Sequence, residues 1–230
     1  MSGNFKFDEA ENRYIWGGNM TKPEMIIFDY GYTILHEPNN SAENGNKAIY
    51  KYIKDNPDNV SFETFNKTCI EMFAEIKANR GTLEIHEHHY LRLLYDYLNI
   101  TLSVSIAEAE CIIWNGISEG AVMPYVLEML DYLNENGIRT AVISNLAFSG
   151  AALAERIDRL LPNNQFEFVL ASSEYVFKKP HPLMFKVALN KAGLAADKRR
   201  PGNHMEGVDA PLGGGAVFLH TGGDPRGSIR

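Results

Sequence analysis

The stretch Met25-Ile26-Ile27-Phe28-Asp29-Tyr30-Gly31-Tyr32-Thr33 decides how the rest of the chain reads. Its first four residues are apolar without alternation, the pattern of a short strand covered on both faces, as in the parallel sheets of α/β proteins. The run is too short for a helix and stops at Asp29 and Gly31. An acidic residue and a glycine at the tip of a buried strand stand where open α/β sheets place their ligands.

Beyond the loop at Pro38-Asn39-Asn40, the chain is helical in pattern as far as Gly120. The spacing predicts amphipathic helices over 43–55, 62–78, 86–98 and 105–116, with no strand between them. A helix over 125–136 closes at Gly137, and Arg139-Thr140-Ala141-Val142-Ile143 repeats the buried-strand pattern before Ser144-Asn145. A helix over 149–160 leads to a third strand, Phe166-Glu167-Phe168-Val169-Leu170. Lys178-Lys179-Pro180-His181-Pro182 then opens a helix that ends at Gly193. Ala216-Val217-Phe218-Leu219 reads as a last strand. The order implies an α/β fold: a doubly wound parallel-sheet core over 23–38 and 121–230, and a helical-bundle cap inserted over 39–120. Residues 1–22 read as a flexible N-terminal extension.

Composition narrows the function classes. With 230 residues, 45% hydrophobic and 22% charged, the chain is neither disordered nor fibrous. At this length it removes roughly 70–75% of its unfolded surface from water and needs no metal or disulfide staple. Cys69 and Cys111 lack zinc-site spacing and read as small apolar residues of a reducing compartment. The net charge of −7 argues against nucleic acid as a partner. No apolar run approaches the ~20 residues of a membrane helix, which predicts no membrane partner. Residues 1–25 show no apolar signal core, so a cytoplasmic protein is expected, as a monomer or homodimer.

Three strand ends carry the chemistry: Asp29, Ser144-Asn145, and Lys179-Pro180 at the start of a helix. A carboxylate at a strand tip can act as a nucleophile toward a phosphoryl group. Its approach to a phosphate dianion costs about 8 kcal/mol at 4 Å with an effective dielectric near 20, so neighbouring cations are required. Lys179 supplies one charge, and Mg²⁺ on the Asp29 carboxylate and a nearby backbone carbonyl would supply two more. The Ser144 hydroxyl and the Asn145 backbone amide can hydrogen-bond the transferring oxygens.

In this order and spacing the chain resembles the haloacid dehalogenase-like (HAD) hydrolases, specifically members with a helical cap inserted after the first motif. The resemblance covers about residues 24–194. It implies the same roles for Asp29, Ser144 and Lys179, a substrate-binding role for Gly31, Thr33 and Asn145, and a small phosphorylated metabolite as substrate. It also implies Mg²⁺ held by Asp29, the Gly31 carbonyl, and Asn203 or Asp209.

Two departures from that family's pattern bear on function. Gly31 stands where phosphatase members carry a second Asp two residues after the nucleophile, and general acid–base catalysis is worth about 10²–10⁴-fold. Tyr30, Tyr32 and His36 are possible substitutes at other positions. Asn203 occupies the position of a later metal-binding Asp, with Asp209 six residues on. Other readings therefore stay open: dehalogenase-type chemistry, in which a halide leaves without a proton; phosphonatase-type chemistry, with Lys47, Lys51 or Lys54 as imine-forming lysine; and a catalytically impaired binding protein. Gly213-Gly214-Gly215 lacks nucleotide-loop spacing. The cluster Glu84-Ile85-His86-Glu87-His88-His89 lacks the i,i+4 His pair of a zinc helix, and reads as a solvated first helical turn.

Overall fold

A computed structural model describes residues 23–194, together with the backbone of three further strands at 4–8, 13–17 and 216–219. The central sheet has four strands in the order β10 (Ala216–Leu219), β3 (Met25–Phe28), β8 (Arg139–Ser144), β9 (Phe166–Ala171). β3 and β9 both run parallel to β8. Ile26 and Phe28 pack into one apolar cluster with Val142, Leu153 and Ile157. Met25 and Ile27 pack into another on the opposite face, with Ala141, Leu170 and Met184. That two-sided burial is why the strand is written without alternation.

Helices cover both faces. α5 (Val126–Glu135) and α6 (Gly150–Leu160) contribute to the first cluster, and α7 (Pro182–Ala192) to the second. The Ser149 side chain caps α6, and Gly193 closes α7 in the left-handed conformation at φ 69°.

The inserted segment has its own core, built on Ile49, Phe65, Leu91, Leu94 and Ile113. Its helices are α1 (Ala42–Tyr50), α2 (Phe62–Asn79), α3 (Glu87–Tyr97) and α4 (Ile106–Ile117). Ser41, Ser61 and Ser105 cap three of them, the last in a reciprocal box with Glu108. α1 and α4 cross closely because both present glycine. A Cβ on Gly116 would lie 2.9 Å from the Ala48 Cβ and 2.9 Å from the Gly45 Cα.

Three features differ from expectation. The first helix of the insert stops at Tyr50, and β5 (Ile53–Asp55) pairs antiparallel with β6 (Thr101–Leu102). Asn56 precedes Pro57, which disfavours helical backbone, and the β-branched Ile53 favours an extended one. The last strand, β10, runs antiparallel to β3. β10 pairs only with β3, at the edge of the sheet, and an edge strand can pair in either direction, which its four apolar residues do not announce. Within residues 1–22, β1 (Asn4–Asp8) and β2 (Arg13–Gly17) form an antiparallel pair, Asn4 opposite Gly17 and Asp8 opposite Arg13. Among the described residues, no helix is long and apolar enough to cross a membrane.

Candidate active site

Asp29 follows β3 directly, at the C-terminal edge of the sheet. The chain then folds back at once: the Tyr30 carbonyl accepts from the amides of Thr33, Ile34 and Leu35 at 3.2–3.4 Å. Tyr32 holds φ 56° in this turn, a left-handed conformation that costs a side-chain-bearing residue about 1–2 kcal/mol. The Tyr30 amide donates to Asp29 Oδ1 at 2.7 Å, which fixes the rotation of the carboxylate.

Lys179 comes from the loop between β9 and α7. Its Nζ lies 2.9 Å from Asp29 Oδ2 and donates to the Ile143 carbonyl at 2.8 Å. Both members of the Asp29–Lys179 pair keep 19% of their side-chain surface exposed, so the pair is shielded yet open to a ligand. Asn145 grips the lysine's backbone twice: its Oδ1 accepts from the Lys179 amide at 2.7 Å, and its Nδ2 donates to the Lys179 carbonyl at 2.9 Å. A strained residue stands close by, Val176 at φ 67°, whose carbonyl accepts from the Glu84 amide of the insert. For a β-branched side chain such a φ is an outlier, and strain of this kind gathers at functional sites.

Ser144 ends β8 opposite Ala171 and is 4% exposed. The register Phe28 to Val142 puts Asp29 beside Ile143, with Ser144 one residue further along the same edge. Thr33 Oγ1 is buried without a hydrogen-bond partner among the described residues. A hydroxyl in that state costs about 1–3 kcal/mol until something bonds it.

Gly31 has no side chain to offer, yet the fold does not require glycine there. A Cβ built on it meets nothing within 4 Å, and its backbone is outside the left-handed region. Of the expected cation ligands, the Asp29 carboxylate is at the sheet edge, its Oδ1 accepting from the Tyr30 amide and its Oδ2 facing Lys179. Mg²⁺ is commonly bound through one or two carboxylates with waters and substrate phosphate, so a lone strand-end carboxylate is compatible with it. Asn203 and Asp209, two further expected ligands, lie outside the described residues. No cluster of three or more His, Cys, Asp or Glu suited to a metal occurs among the described residues.

The histidine cluster is only partly a solvated turn: His89 is exposed, while Glu87 is buried and His86 and His88 are half-buried. His86 caps α3, its Nδ1 accepting from the His88 amide at 3.1 Å. His88 Nε2 lies 2.9 Å from Glu110 Oε2, and the same carboxylate takes the amide and hydroxyl of Ser149 at 2.6 Å each. These residues join the insert to the start of α6, and Glu110 is buried there along with Glu87. Burial, and then the nearby Glu110 carboxylate, push the Glu87 carboxyl up to about 8. The insert's aromatics also divide: Tyr50, Phe65, Phe73, Tyr90 and Tyr95 pack within it, while Trp114 reaches the core cluster and Tyr97 faces solvent.

Sequence reasoning missed a buried cluster beneath the turn that follows Asp29. Arg156 of α6 is 3% exposed; its Nη2 donates to Glu37 Oε2 at 2.6 Å and its Nε to the Tyr30 hydroxyl at 3.1 Å. The Tyr30 hydroxyl donates to Glu37 Oε1 at 2.6 Å. Burial and the Glu37 carboxylate hold the Tyr30 phenol well above its usual range. The signal was present: Arg156 falls between Leu153 and Ile157 on the apolar face of α6, where a charge must be paired.

A strand-end aspartate paired with a lysine, on a parallel α/β sheet beneath a helical insert, defines a hydrolase class. The chain belongs to the haloacid dehalogenase-like hydrolase family, whose model matches residues 24–200. Among solved structures it is similar to a dehalogenase (15% identity over 74% of this chain and 72% of that one, TM-score 0.41). It is also similar to a HAD family enzyme from Bacteroides thetaiotaomicron (18% identity, 73% and 77% coverage, TM-score 0.44). A HAD-superfamily hydrolase from Ehrlichia chaffeensis gives 19% identity, 77% and 76% coverage and a TM-score of 0.40. No curated protein matches the chain.

Proposed function

We propose that the protein is a Mg²⁺-dependent phosphatase of small phosphorylated metabolites, working through an aspartyl-phosphate on Asp29. The observation that carries this reading is the Asp29 carboxylate held 2.9 Å from Lys179 Nζ at the C-terminal edge of the sheet. An Asp29 oxygen forms a bond to phosphorus while the ester P–O bond breaks. The departing oxygen takes its proton from solvent, because Gly31 offers none, and a water then attacks phosphorus to release inorganic phosphate. Lys179 offsets the charge brought together, and Asn145 keeps the lysine in place. Ser144 and Thr33 donate hydrogen bonds to the transferring oxygens. Bound at Asp29 and the Gly31 carbonyl, Mg²⁺ would add charge neutralisation at the phosphoryl group. The enzyme acts in the cytoplasm as a monomer or homodimer, with neither nucleic acid nor membrane as partner.

Gly31 favours one second reading. A carbon–halogen bond breaks without a proton donor, so the same Asp29 attack would suit a 2-haloacid, with an ester in place of the acyl phosphate. The test is a panel of acetyl phosphate, p-nitrophenyl phosphate and a 2-haloacid, each with and without Mg²⁺, beside Asp29→Asn. Metal-dependent turnover of the phosphates that the variant lacks supports the phosphatase; metal-independent turnover of the haloacid supports the second reading. Silence on all three leaves a binding protein.

A further inference from the structure

The insert is reached through β4 (Leu35–His36) and left through β7 (Ala121–Val122), which pair antiparallel. The two connecting segments are joined again above that pair. Ser118 Oγ donates to the Pro38 carbonyl at 2.7 Å, and the Ser41 amide to the Ile117 carbonyl at 3.1 Å. The insert is therefore attached through a two-stranded neck.

One core side chain holds both strands of that neck. Arg156 Nη2 donates to Glu37 Oε2 in the entering segment at 2.6 Å and to the Ser118 carbonyl in the leaving segment at 2.5 Å. Its Nη1 donates to Asn115 Oδ1 at 3.1 Å, at the end of α4. The guanidinium carbon lies 4.7 Å from the centre of the Trp114 ring, which stacks on Phe148 at 4.2 Å. Glu37 Oε1 also accepts from Trp114 Nε1 at 3.3 Å. The same Arg156 and Glu37 bind the hydroxyl of Tyr30, the residue whose amide orients the Asp29 carboxylate. A guanidinium can satisfy this many acceptors only in one placement, because its donors form a rigid planar fork. If the neck shifts, Arg156 or Glu37 must release either the neck or Tyr30.

We propose that Tyr30, Glu37 and Arg156 are positioning residues that couple the seating of the cap's neck to the alignment of the nucleophile turn. Asp29 is held toward Lys179 while the neck is closed and loses its register when the neck opens. The consequence for catalysis rests on the hydrolase reading above; the coupling itself does not.

The test uses native-state hydrogen exchange on the full chain, wild type beside Tyr30→Phe and Arg156→Lys. Tyr30→Phe removes one hydroxyl and leaves the ring packed on Trp114 at 6.0 Å between centres, so it keeps the test interpretable if the arginine variant does not fold. Coupling predicts that the turn amides of Tyr32 to Leu35 and the neck amides of Ser41 and Met123 exchange faster together in the variants, by about tenfold for a lost charge-assisted hydrogen bond. Amides of β8 should stay within about twofold, since no bond in that strand is touched. An unchanged turn, or a rise shared equally by β8, overturns the proposal. Where the protein turns over p-nitrophenyl phosphate, kcat should fall with KM nearly constant. A protein inactive on phosphates but showing the paired exchange response would sink the phosphatase reading and leave the coupling intact.

Discussion

Restoring an acidic side chain at position 31 gives the sharpest view of what the site lacks. Gly31→Asp introduces a Cβ into open space on a backbone any residue adopts, so the fold should be close to unaffected. At a separation of about 7 Å, two carboxylates repel by about 2 kcal/mol at an effective dielectric of 20. That repulsion favours the protonated form of the introduced carboxyl, which is the form that donates to a leaving oxygen. The gain should be graded by leaving group: about 10²–10⁴-fold, or 3–5 kcal/mol, for an alkyl phosphate and near unity for acetyl phosphate. The assay is kcat/KM on the two esters for wild type, Gly31→Asp, and Gly31→Asp combined with Asp29→Asn. Equal gains on both substrates, or an alkyl-phosphate rate within threefold of wild type, would refute the reasoning; so would activity that survives loss of Asp29.

Other outcomes follow from the packing and from burial. Tyr32→Gly relieves the φ 56° strain and should stabilise the protein by about 1 kcal/mol, a rise in Tm of about 2–4 °C by calorimetry. Gly116→Ala drives a methyl against Ala48 and Gly45 and should destabilise the cap by about 1–3 kcal/mol, read from urea melts by circular dichroism. The Glu87 carboxyl sits at about 8, above its unfolded value, so the unfolded chain releases that proton first as pH rises. Its contribution is full below the unfolded pKa near 4.5 and declines up to pH 8, at about 1.4 kcal/mol per pH unit. Glu87→Gln should therefore flatten the stability profile between pH 5 and 8 in urea titrations, and a profile parallel to wild type would contradict the assignment.

What the sequence made legible was the part written in local pattern. Met25 to Phe28 read as a strand covered on both sides because both faces do bury it, and Asp29 and Lys179 were found because each stands at a strand or helix boundary with polar neighbours. Contacts that depend on how distant elements meet were not legible. Asn145 read as a backbone donor, while its side chain clamps Lys179 from across the loop. Nothing in the sequence linked Glu37 to Arg156, 119 residues on, until the fold joined them under Tyr30. His88 looked solvated because nothing local reveals that it meets Glu110, the carboxylate that also binds Ser149. Two-residue strands such as β6 and the antiparallel direction of β10 are set by their partners, so no periodicity of their own announces them.

The central claim is that the Asp29 carboxylate is the nucleophile, and its most direct test is the mass of the acid-quenched protein after brief exposure to acetyl phosphate with Mg²⁺. The account predicts an added phosphoryl group that maps to the peptide containing Asp29 and is absent from Asp29→Asn. A phosphoryl group on another residue, or turnover with Asp29 removed, would contradict it.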